Sequence, residues 1–209
     1  SAKAILVKHA YRYGVDPATL LALRMLYALP FFIAMAVLAH WRDPRRFTTQ
    51  DWRGLLELGF TGYYLSSWLD FNGLQYISAG LERVVLYTYP MLVVLLTAFT
   101  ARRAPEKRML GALALCCAGV AFAVWHDSQL GQRNLPLGTL LVTGSAISFA
   151  LYLWRAGPVL QRLGASRVTA WATGFACVMV LLQFAVLRPV KTLWTQPWPV
   201  QASGIGMAL

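Results

Sequence analysis

The chain has 209 residues, of which 58% are hydrophobic and 13% charged, and its mean hydropathy is +0.53. This balance excludes an ordinary water-soluble domain and predicts an integral membrane protein. A net charge of +11 would suggest a nucleic-acid ligand in a soluble protein, but the basic residues lie in short loops between apolar segments. We therefore expect no nucleic-acid partner.

Eight apolar segments predict an all-α polytopic membrane protein. They cover residues 1–12, 18–40, 52–77, 79–100, 109–125, 136–155, 168–187 and 200–209. Gly14 and Pro17 are expected to end the first helix, Asp16 to cap the second, and Gly157-Pro158 to end the sixth. Each complete segment is about 20 residues or slightly longer, enough to cross ~30 Å of hydrocarbon. The terminal segments have the character of helix interiors, so we expect a fragment cut within a helix at both ends.

Lysine and arginine are distributed unevenly between the loops. The loops after the second, fourth and sixth predicted helices hold Arg42, Arg45, Arg46, Arg102, Arg103, Lys107, Arg108, Arg162 and Arg167. The opposite set holds Lys8, Arg12, Arg133, Arg188 and Lys191. Because basic loops of membrane proteins usually face the cytoplasm, the first set is predicted to be cytoplasmic.

The chain partly matches itself at an offset of 150 residues. The matching pairs are Gly14 with Gly164, Thr19 with Thr169, Ala22 with Ala172 and Gly54 with Gly204. Because five helices separate equivalent positions, the second copy must enter the membrane from the opposite side. We predict an inverted-topology repeat, with a first unit at 1–126 and a partial second unit at 136–209. Such repeats are typical of secondary transporters, whose substrate site lies between the halves near the midplane.

Several segments resemble a known family. Four of them are SAKAILVK, GVDPATLLALRMLYALPFF, LDFNGLQYISAGLERVVLYTYPMLVVLL and GALALCCAGVAFAV. These four resemble the first EamA domain of the drug/metabolite transporter superfamily. The stretch LGTLLVTGSAISFALYLWRAGPVLQRLGAS resembles the opening of the second EamA domain. The resemblance implies ten helices in two inverted halves, of which about seven or eight are present. It also implies a multi-pass protein of the cytoplasmic (inner) membrane that exports small metabolites by alternating access. The stretch 100–106 departs from the LGE-like sequence of many relatives, which affects subfamily placement rather than fold.

Charged residues fall inside the apolar segments, and four of them form a candidate cluster. At about 1.5 Å per helical residue, Lys3, Arg24, Asp70 and Glu82 share the outer half of the membrane. Charges at this depth are costly and usually face a bundle interior or a water-filled cavity. We hypothesise that they face the translocation path and that Asp70 or Glu82 takes up a proton. The alternatives are charges that extend to the headgroups, or an ion pair such as Arg24 with Asp70 that only holds helices together.

Two polar stripes at helical spacing are candidates for the cavity lining. The third predicted helix carries Tyr63, Ser66, Ser67 and Asp70, and the sixth carries Ser145, Ser148, Tyr152 and Arg155. Trp68, Tyr87 and Tyr89 are candidate aromatic contacts. The alternative is that the serines only form hydrogen bonds between helices.

Moving parts are predicted from charges and prolines. Glu57 and Arg155 fall at similar depth near the cytoplasmic end and form a candidate gate, although Arg53 competes for Glu57. Pro30 and Pro90 are candidate hinges, since neighbouring helices can satisfy the carbonyl groups that a proline frees. Static kinks that only shape the packing are the alternative.

No sequence pattern indicates catalysis. GxSxG and HExxH motifs are absent, and Cys116, Cys117 and Cys177 lack metal-ligand spacing, so we expect no enzyme, metal or cofactor. The favoured function is secondary transport, as efflux of a small metabolite, amino acid or drug. Its expected partners are the lipid bilayer, a small-molecule substrate, and a proton or counter-substrate, with a homodimer left open. A membrane channel and a non-transporting scaffold or receptor are the alternatives.

Overall fold

The computed structural model describes residues 2–42, 44, 47–102, 107–129 and 134–208, and all regular structure in these ranges is helical. The helices are α1 Ala2–Tyr11, α2 Pro17–Arg42, α3 Thr49–Leu58, α4 Ser66–Gly73, α5 Ala79–Leu86, α6 Tyr89–Thr100, α7 Lys107–Ser128, α8 Leu135–Leu163, α9 Ala165–Leu187, α10 Lys191–Trp194 and α11 Trp198–Ala208. A π-helical segment, Gly59–Leu65, joins α3 to α4 without a break. This confirms an all-α polytopic membrane protein.

Five stretches in the described ranges are long and apolar enough to cross a membrane. They are Pro17–Trp41, Ala79–Thr100, Lys107–Ser128, Leu135–Leu163 and Ala165–Leu187. The third predicted helix is present as α3, the π-helical segment and α4, and it ends at Gly73 rather than at residue 77. The short helix α10 was not predicted.

The start of α2 follows the predicted capping chemistry. Gly14 has a φ of 76°, a left-handed conformation that favours glycine, and it ends the turn after α1. The carboxylate of Asp16 accepts hydrogen bonds from the backbone N–H of Thr19 at 3.2 Å and from its hydroxyl at 2.6 Å. Asp16 is therefore the cap that the sequence predicted.

The prediction that Gly157-Pro158 ends the sixth helix was wrong. Helix α8 continues through Pro158 to Leu163 and ends at Gly164, whose φ is 80°. Val159 and Leu160 pack against a buried apolar cluster that includes Leu55 and Leu58 of α3. This packing stabilises the last turns of α8, although Pro158 removes one backbone hydrogen bond.

The two candidate hinge prolines differ. Pro30 lies within the uninterrupted helix α2. Pro90 lies in the first turn of α6, directly after a break at Tyr87 and Thr88 that separates α5 from α6. The predicted fourth helix is therefore two helices.

Helices α2 and α9 pack side by side and run in opposite directions. The Met25 thioether lies 3.6 Å from the Cys177 thiol, while Met35 and Ala39, near the end of α2, share a surface depression with Ala165 at the start of α9. Gly14 and Gly164 precede these two helices and therefore lie at opposite ends of the bundle. An inverted repeat requires this arrangement, although the repeat itself stays a prediction.

Two polar contacts mark the ends of the bundle. At one end Nη2 of Arg162 lies 2.6 Å from Oδ1 of Asp51. At the other, Oδ2 of the buried Asp127 accepts a 2.9 Å hydrogen bond from the Ser78 backbone N–H. We call these the Arg162 end and the Asp127 end. The Arg162 end is the predicted cytoplasmic side; Arg45, Arg46, Arg103 and Arg133 of the charge count lie outside the described residues.

Candidate functional site

Small residues bring α4 and the π-helical segment close to α8. A Cβ atom at Gly73 would meet the side chain of Val142 at 2.5 Å, and one at Gly62 would overlap the ring of Tyr152. Side chains larger than hydrogen at these glycines would push the helices apart, so the contact depends on their absence. The resulting close approach positions the two predicted polar stripes opposite each other.

The predicted charged cluster assembles around an ion pair. Nζ of Lys3 on α1 lies 2.6 Å from Oδ2 of Asp70 on α4. The Asp70 side chain is only 2% exposed and that of Lys3 27%. The Lys3 ammonium also lies 5.0 Å from the centre of the fully buried Phe71 ring. A buried carboxylate therefore has a cation on one of its two oxygens, and the aromatic ring gives that cation a second favourable contact.

Arg24 joins this cluster without forming the predicted alternative ion pair to Asp70. Its Nε donates a 3.3 Å hydrogen bond to the backbone carbonyl of Met207 on α11, and its guanidinium lies 6.0 Å from the Phe71 ring centre. Its Nη1 is buried without a hydrogen-bond partner. Asp70 still attracts Arg24 electrostatically, so the two are neighbours rather than bonded partners.

Glu82 supplies a second buried carboxylate. It is fully buried on α5, and its Oε2 lies 3.1 Å from Nε of the adjacent Arg83. It is also a near neighbour of Asp70. Lys3 therefore attracts both carboxylates.

A small cavity opens beside the ion pair. Its volume is about 180 Å³. It is lined by Lys3, Arg24, Gly62, Tyr63, Ser66, Ser67, Asp70, Leu86, Tyr89, Ser145 and Phe149. Eight of these are candidate lining or cluster residues from the sequence, namely Lys3, Arg24, Tyr63, Ser66, Ser67, Asp70, Tyr89 and Ser145. The structure therefore brings most of the predicted site residues to one cavity.

The serines of the two polar stripes also form hydrogen bonds between helices. The hydroxyls of Ser66 and Ser145 lie 3.0 Å apart, and that of Ser145 also lies 2.8 Å from the Ser66 carbonyl oxygen. Ser148 donates a 2.7 Å hydrogen bond to the carbonyl of Thr61 in the π-helical segment. Ser66 and Ser145 both line the cavity and join the helices, whereas Ser148 joins the helices only.

The remaining aromatic candidates are not among the lining residues of the cavity. Tyr152 is not among the lining residues, but its hydroxyl lies 3.4 Å from that of Tyr63 and its ring stacks on Phe149. Trp68 packs against the apolar core. Tyr87 lies at the break between α5 and α6 and is 61% exposed, so the structure does not bring it to the cavity.

Two ion pairs connect α3 to α8 toward the Arg162 end. The candidate gate residues Glu57 and Arg155 lie 2.5 Å apart, with side chains 56% and 54% exposed. Asp51, which also binds the backbone N–H and hydroxyl of Thr48, pairs with Arg162. Burial raises the pKa of Asp51, but the Thr48 hydrogen bonds and the Arg162 charge outweigh it and lower the pKa below its ordinary value.

Sequence reasoning missed several residues of the site. Leu86 and Phe149 form apolar walls of the cavity, and Phe71 lies against both cations. Nothing distinguishes these side chains from other apolar residues in a membrane segment. The π-helical segment was also missed, although the paired glycines Gly59 and Gly62 were a visible signal of close packing.

The described residues hold no group of three or more His, Cys, Asp or Glu side chains placed to bind a metal ion. The polar groups at the cavity are instead hydroxyls and opposite charges. This chemistry suits reversible binding of a polar solute through hydrogen bonds and ion pairs.

Known proteins resemble this chain over most of its length. An uncharacterised transporter of Bacillus subtilis, YcbK, is 29% identical over 184 residues, which cover 87% of the chain and 58% of the relative. A second transporter from the same organism, YetK, is 27% identical over 143 residues, covering 68% of the chain and 43% of the relative. No solved structure gives a significant match. The chain thus corresponds to less than two thirds of these relatives' length.

The model of the EamA-like transporter family matches residues 1–125, more than half of the chain. This match covers α1 to α6 and most of α7, and it therefore includes the ion pair, Arg24 and Glu82. The chain belongs to the EamA-like transporter family.

Proposed function

We propose that the protein is a secondary transporter that exports a small metabolite, amino acid or drug across the cytoplasmic membrane by alternating access. The main support is the 180 Å³ cavity beside the buried Lys3–Asp70 ion pair. Charged groups at membrane depth are costly to bury and are usually found where a substrate or ion binds. The two Bacillus subtilis relatives carry the name of transporters, which agrees with this assignment.

The arrangement of the helices supports alternating access. Under the proposed repeat, α2 and α9 are equivalent helices, and they pack antiparallel as two inverted halves would. The cavity lies beside α4 and α8, and the Glu57–Arg155 pair connects α3 to α8 closer to the Arg162 end. That pair is suited to close the cytoplasmic side while the cavity communicates with the other side.

Asp70 and Glu82 are the groups we assign to ion coupling. They are neighbouring carboxylates. Among the described residues, the charged and titratable groups that act on them are Lys3, Arg24, Arg83 and the Tyr11 hydroxyl. Because like charges at close range oppose simultaneous ionisation, a proton on one of them would be released when a cation enters. This is the chemistry that exchange of a proton for a substrate needs.

Flux measurements test the assignment. The purified protein is reconstituted in proteoliposomes, after a growth-protection screen against toxic amino-acid analogues and dyes has selected the labelled solute. A transporter gives saturable flux that an internal counter-substrate or a proton gradient accelerates. Asp70→Asn should abolish or uncouple this flux while the protein remains folded, and Asp16→Asn, at the start of α2, is the matched control.

Each other outcome points to a different class. Flux that does not saturate and shows no counterflow would indicate a channel. No flux of any solute above that of empty liposomes would favour the scaffold or receptor alternative. Normal coupled flux in Asp70→Asn would leave the transporter assignment intact but remove Asp70 from the mechanism.

A further inference from the structure

A larger groove lies between α2 and α9, away from the ion pair. Its volume is about 560 Å³, compared with about 180 Å³ for the cavity beside the ion pair. Residues 29–41 of α2 and 170–178 of α9 supply its walls. Because α2 ends at the Arg162 end and α9 begins there, both stretches belong to the half of the bundle nearest that end. The groove therefore lies in the half of the membrane next to the predicted cytoplasmic side.

Small residues keep this groove open toward the membrane. Gly174 lines it, and a Cβ atom at Gly174 would meet nothing within 4 Å. Ile33, Val37 and Val178 also line it and are 54%, 42% and 47% exposed, although they lie on stretches long and apolar enough to cross a membrane. The medium that these side chains face is therefore hydrocarbon. An unfilled apolar groove lacks dispersion contacts, which a ligand of matching shape would supply.

The length of the groove matches one leaflet of a bilayer. At about 1.5 Å per residue, residues 29–41 of α2 span ~18 Å. One leaflet contributes about half of the ~30 Å hydrocarbon core. A single acyl chain that runs from the cytoplasmic surface toward the midplane would therefore cover the groove from end to end.

The groove changes character at the end nearest the cytoplasm. His40 and Trp41 line it there, and Trp41 is 76% exposed. Arg167 lies one helical turn before Trp171, a wall residue, and on the same face of α9. The Arg167 guanidinium lies 5.9 Å from the centre of the Phe47 ring, which itself packs edge-on against Trp171. An apolar body thus ends in aromatic and cationic groups, which in membrane proteins lie at the level of the lipid headgroups.

The charge of this end favours an anionic headgroup. Arg42 ends α2 directly after the groove, and Arg162, which is 43% exposed, ends the preceding helix α8 only a few residues before Arg167. Basic residues at the cytoplasmic surface attract the anionic lipids of that leaflet. The ligand that fits both parts of the groove is therefore an amphiphile with a long apolar chain and a negative head.

We propose that the groove binds an anionic phospholipid of the cytoplasmic leaflet, with one acyl chain between α2 and α9 and its phosphate group near His40, Trp41 and Arg167. The inference goes beyond the proposed function and does not depend on it. A phospholipid held here would brace the α2–α9 contact at its cytoplasmic half.

Lipids that differ in one part test the proposal on the purified wild-type protein. Dioleoyl phosphatidylglycerol has an anionic headgroup, dioleoyl phosphatidylcholine has the same chains on a neutral headgroup, and glycerol phosphate has the phosphate without the chains. Native mass spectrometry counts the lipids retained in detergent, and thermal unfolding measures the stabilisation. We expect one retained phosphatidylglycerol, bound at least about 5-fold more tightly than phosphatidylcholine. Glycerol phosphate should give no stabilisation.

A substitution that fills the groove tests the place of the chain. Gly174→Leu should fold, because nothing lies within 4 Å of the new Cβ, and it should be at least as stable as wild type in lipid-free detergent. It should nevertheless lose the retained phosphatidylglycerol, since its side chain occupies the space of the acyl chain. Gly111→Leu on α7, where a Cβ also meets nothing within 4 Å, is the matched control and should retain the lipid.

A second substitution tests the place of the headgroup. Arg167→Gln should lower the preference for phosphatidylglycerol over phosphatidylcholine about 5-fold, and binding of phosphatidylcholine should stay unchanged. Arg188→Gln, at the opposite end of α9, is the control and should leave the preference intact. If Arg167→Gln fails to fold, the wild-type comparison of the two lipids still decides the question.

Three results would overturn the proposal. They are equal affinity of the wild-type protein for both phospholipids, equal retention of phosphatidylglycerol by wild type and Gly174→Leu, and dimers of the purified protein that Gly174→Leu separates. The last result would assign the groove to a second copy of the chain instead of a lipid. None of these measurements uses flux, so their failure leaves the proposed transport function intact, and absence of flux leaves the lipid site intact.

Discussion

Replacing Asp70 decides whether its ion pair works in transport or only holds α1 against α4. Removing one partner of a fully buried ion pair costs about 3–5 kcal/mol, because the other charge is left uncompensated. Lys3 is 27% exposed and is also attracted by Glu82, so part of this cost is screened. We therefore expect Asp70→Asn to lower the free energy of unfolding by about 2–3 kcal/mol.

A double variant removes the charge without leaving an unpaired partner. Combining Lys3→Met with Asp70→Leu replaces the ion pair by apolar side chains, a change that is often neutral or stabilising in buried sites. We expect thermal unfolding in detergent to return to within about 1 kcal/mol of wild type. If the carboxylate takes part in transport, counterflow in proteoliposomes remains absent despite the restored stability.

The control for simple destabilisation is a buried carboxylate elsewhere. Asp127 accepts a hydrogen bond from the Ser78 backbone at the Asp127 end, and Asp127→Asn should lower stability while flux per folded molecule stays normal. Wild-type counterflow in the Lys3→Met/Asp70→Leu protein would refute our reasoning. It would show that the ion pair is only a structural link between helices.

Two further predictions concern the packing and the candidate gate. Gly59→Ala should lower the free energy of unfolding by about 1–3 kcal/mol, because the new Cβ would lie 2.5 Å from a backbone oxygen of α9 that cannot rotate away. Gly174→Ala, with nothing within 4 Å, should be neutral or slightly stabilising in the same thermal assay. Glu57→Arg alone should lower flux because it places two cations at the gate, and Glu57→Arg combined with Arg155→Glu should restore flux by reversing the pair; normal flux in Glu57→Arg would exclude a gate there.

Much of the fold could be predicted because its signals are local. The length of the apolar segments predicted the helices. Gly14 and Asp16 predicted where α1 ends and where α2 begins. The end of α8 could not be predicted in this way, since packing of Val159 and Leu160 against a buried apolar cluster carries the helix past Pro158. The π-helical segment likewise depends on distant contacts, such as the hydrogen bond from Ser148 to the Thr61 carbonyl.

The candidate site was partly predictable for a different reason. Charges stand out in an apolar segment, so the residues of the cluster were visible, and helical spacing then identified Ser66 and Ser145 as neighbours of the cavity. Leu86 and Phe149 were not identifiable, because apolar walls resemble any other membrane-facing residue. Tyr87 and Tyr89 were both predicted as aromatic contacts. Tyr87 lies in the break between α5 and α6, and of the two only Tyr89 lines the cavity.

The same break gives the cavity one wall that is suited to move. Leu86 and Tyr89 line the cavity on either side of it, and α6 has no buried residue among those described. Pro90 lacks a backbone N–H and its ring conflicts with the carbonyl four residues earlier, so Pro90→Ala should let the helix close across the break. We expect a lower counterflow rate with unchanged solute affinity, while Pro30→Ala in the unbroken α2 leaves the rate normal. Equal rates in wild type and Pro90→Ala would mean that the break shapes the cavity without serving as a hinge.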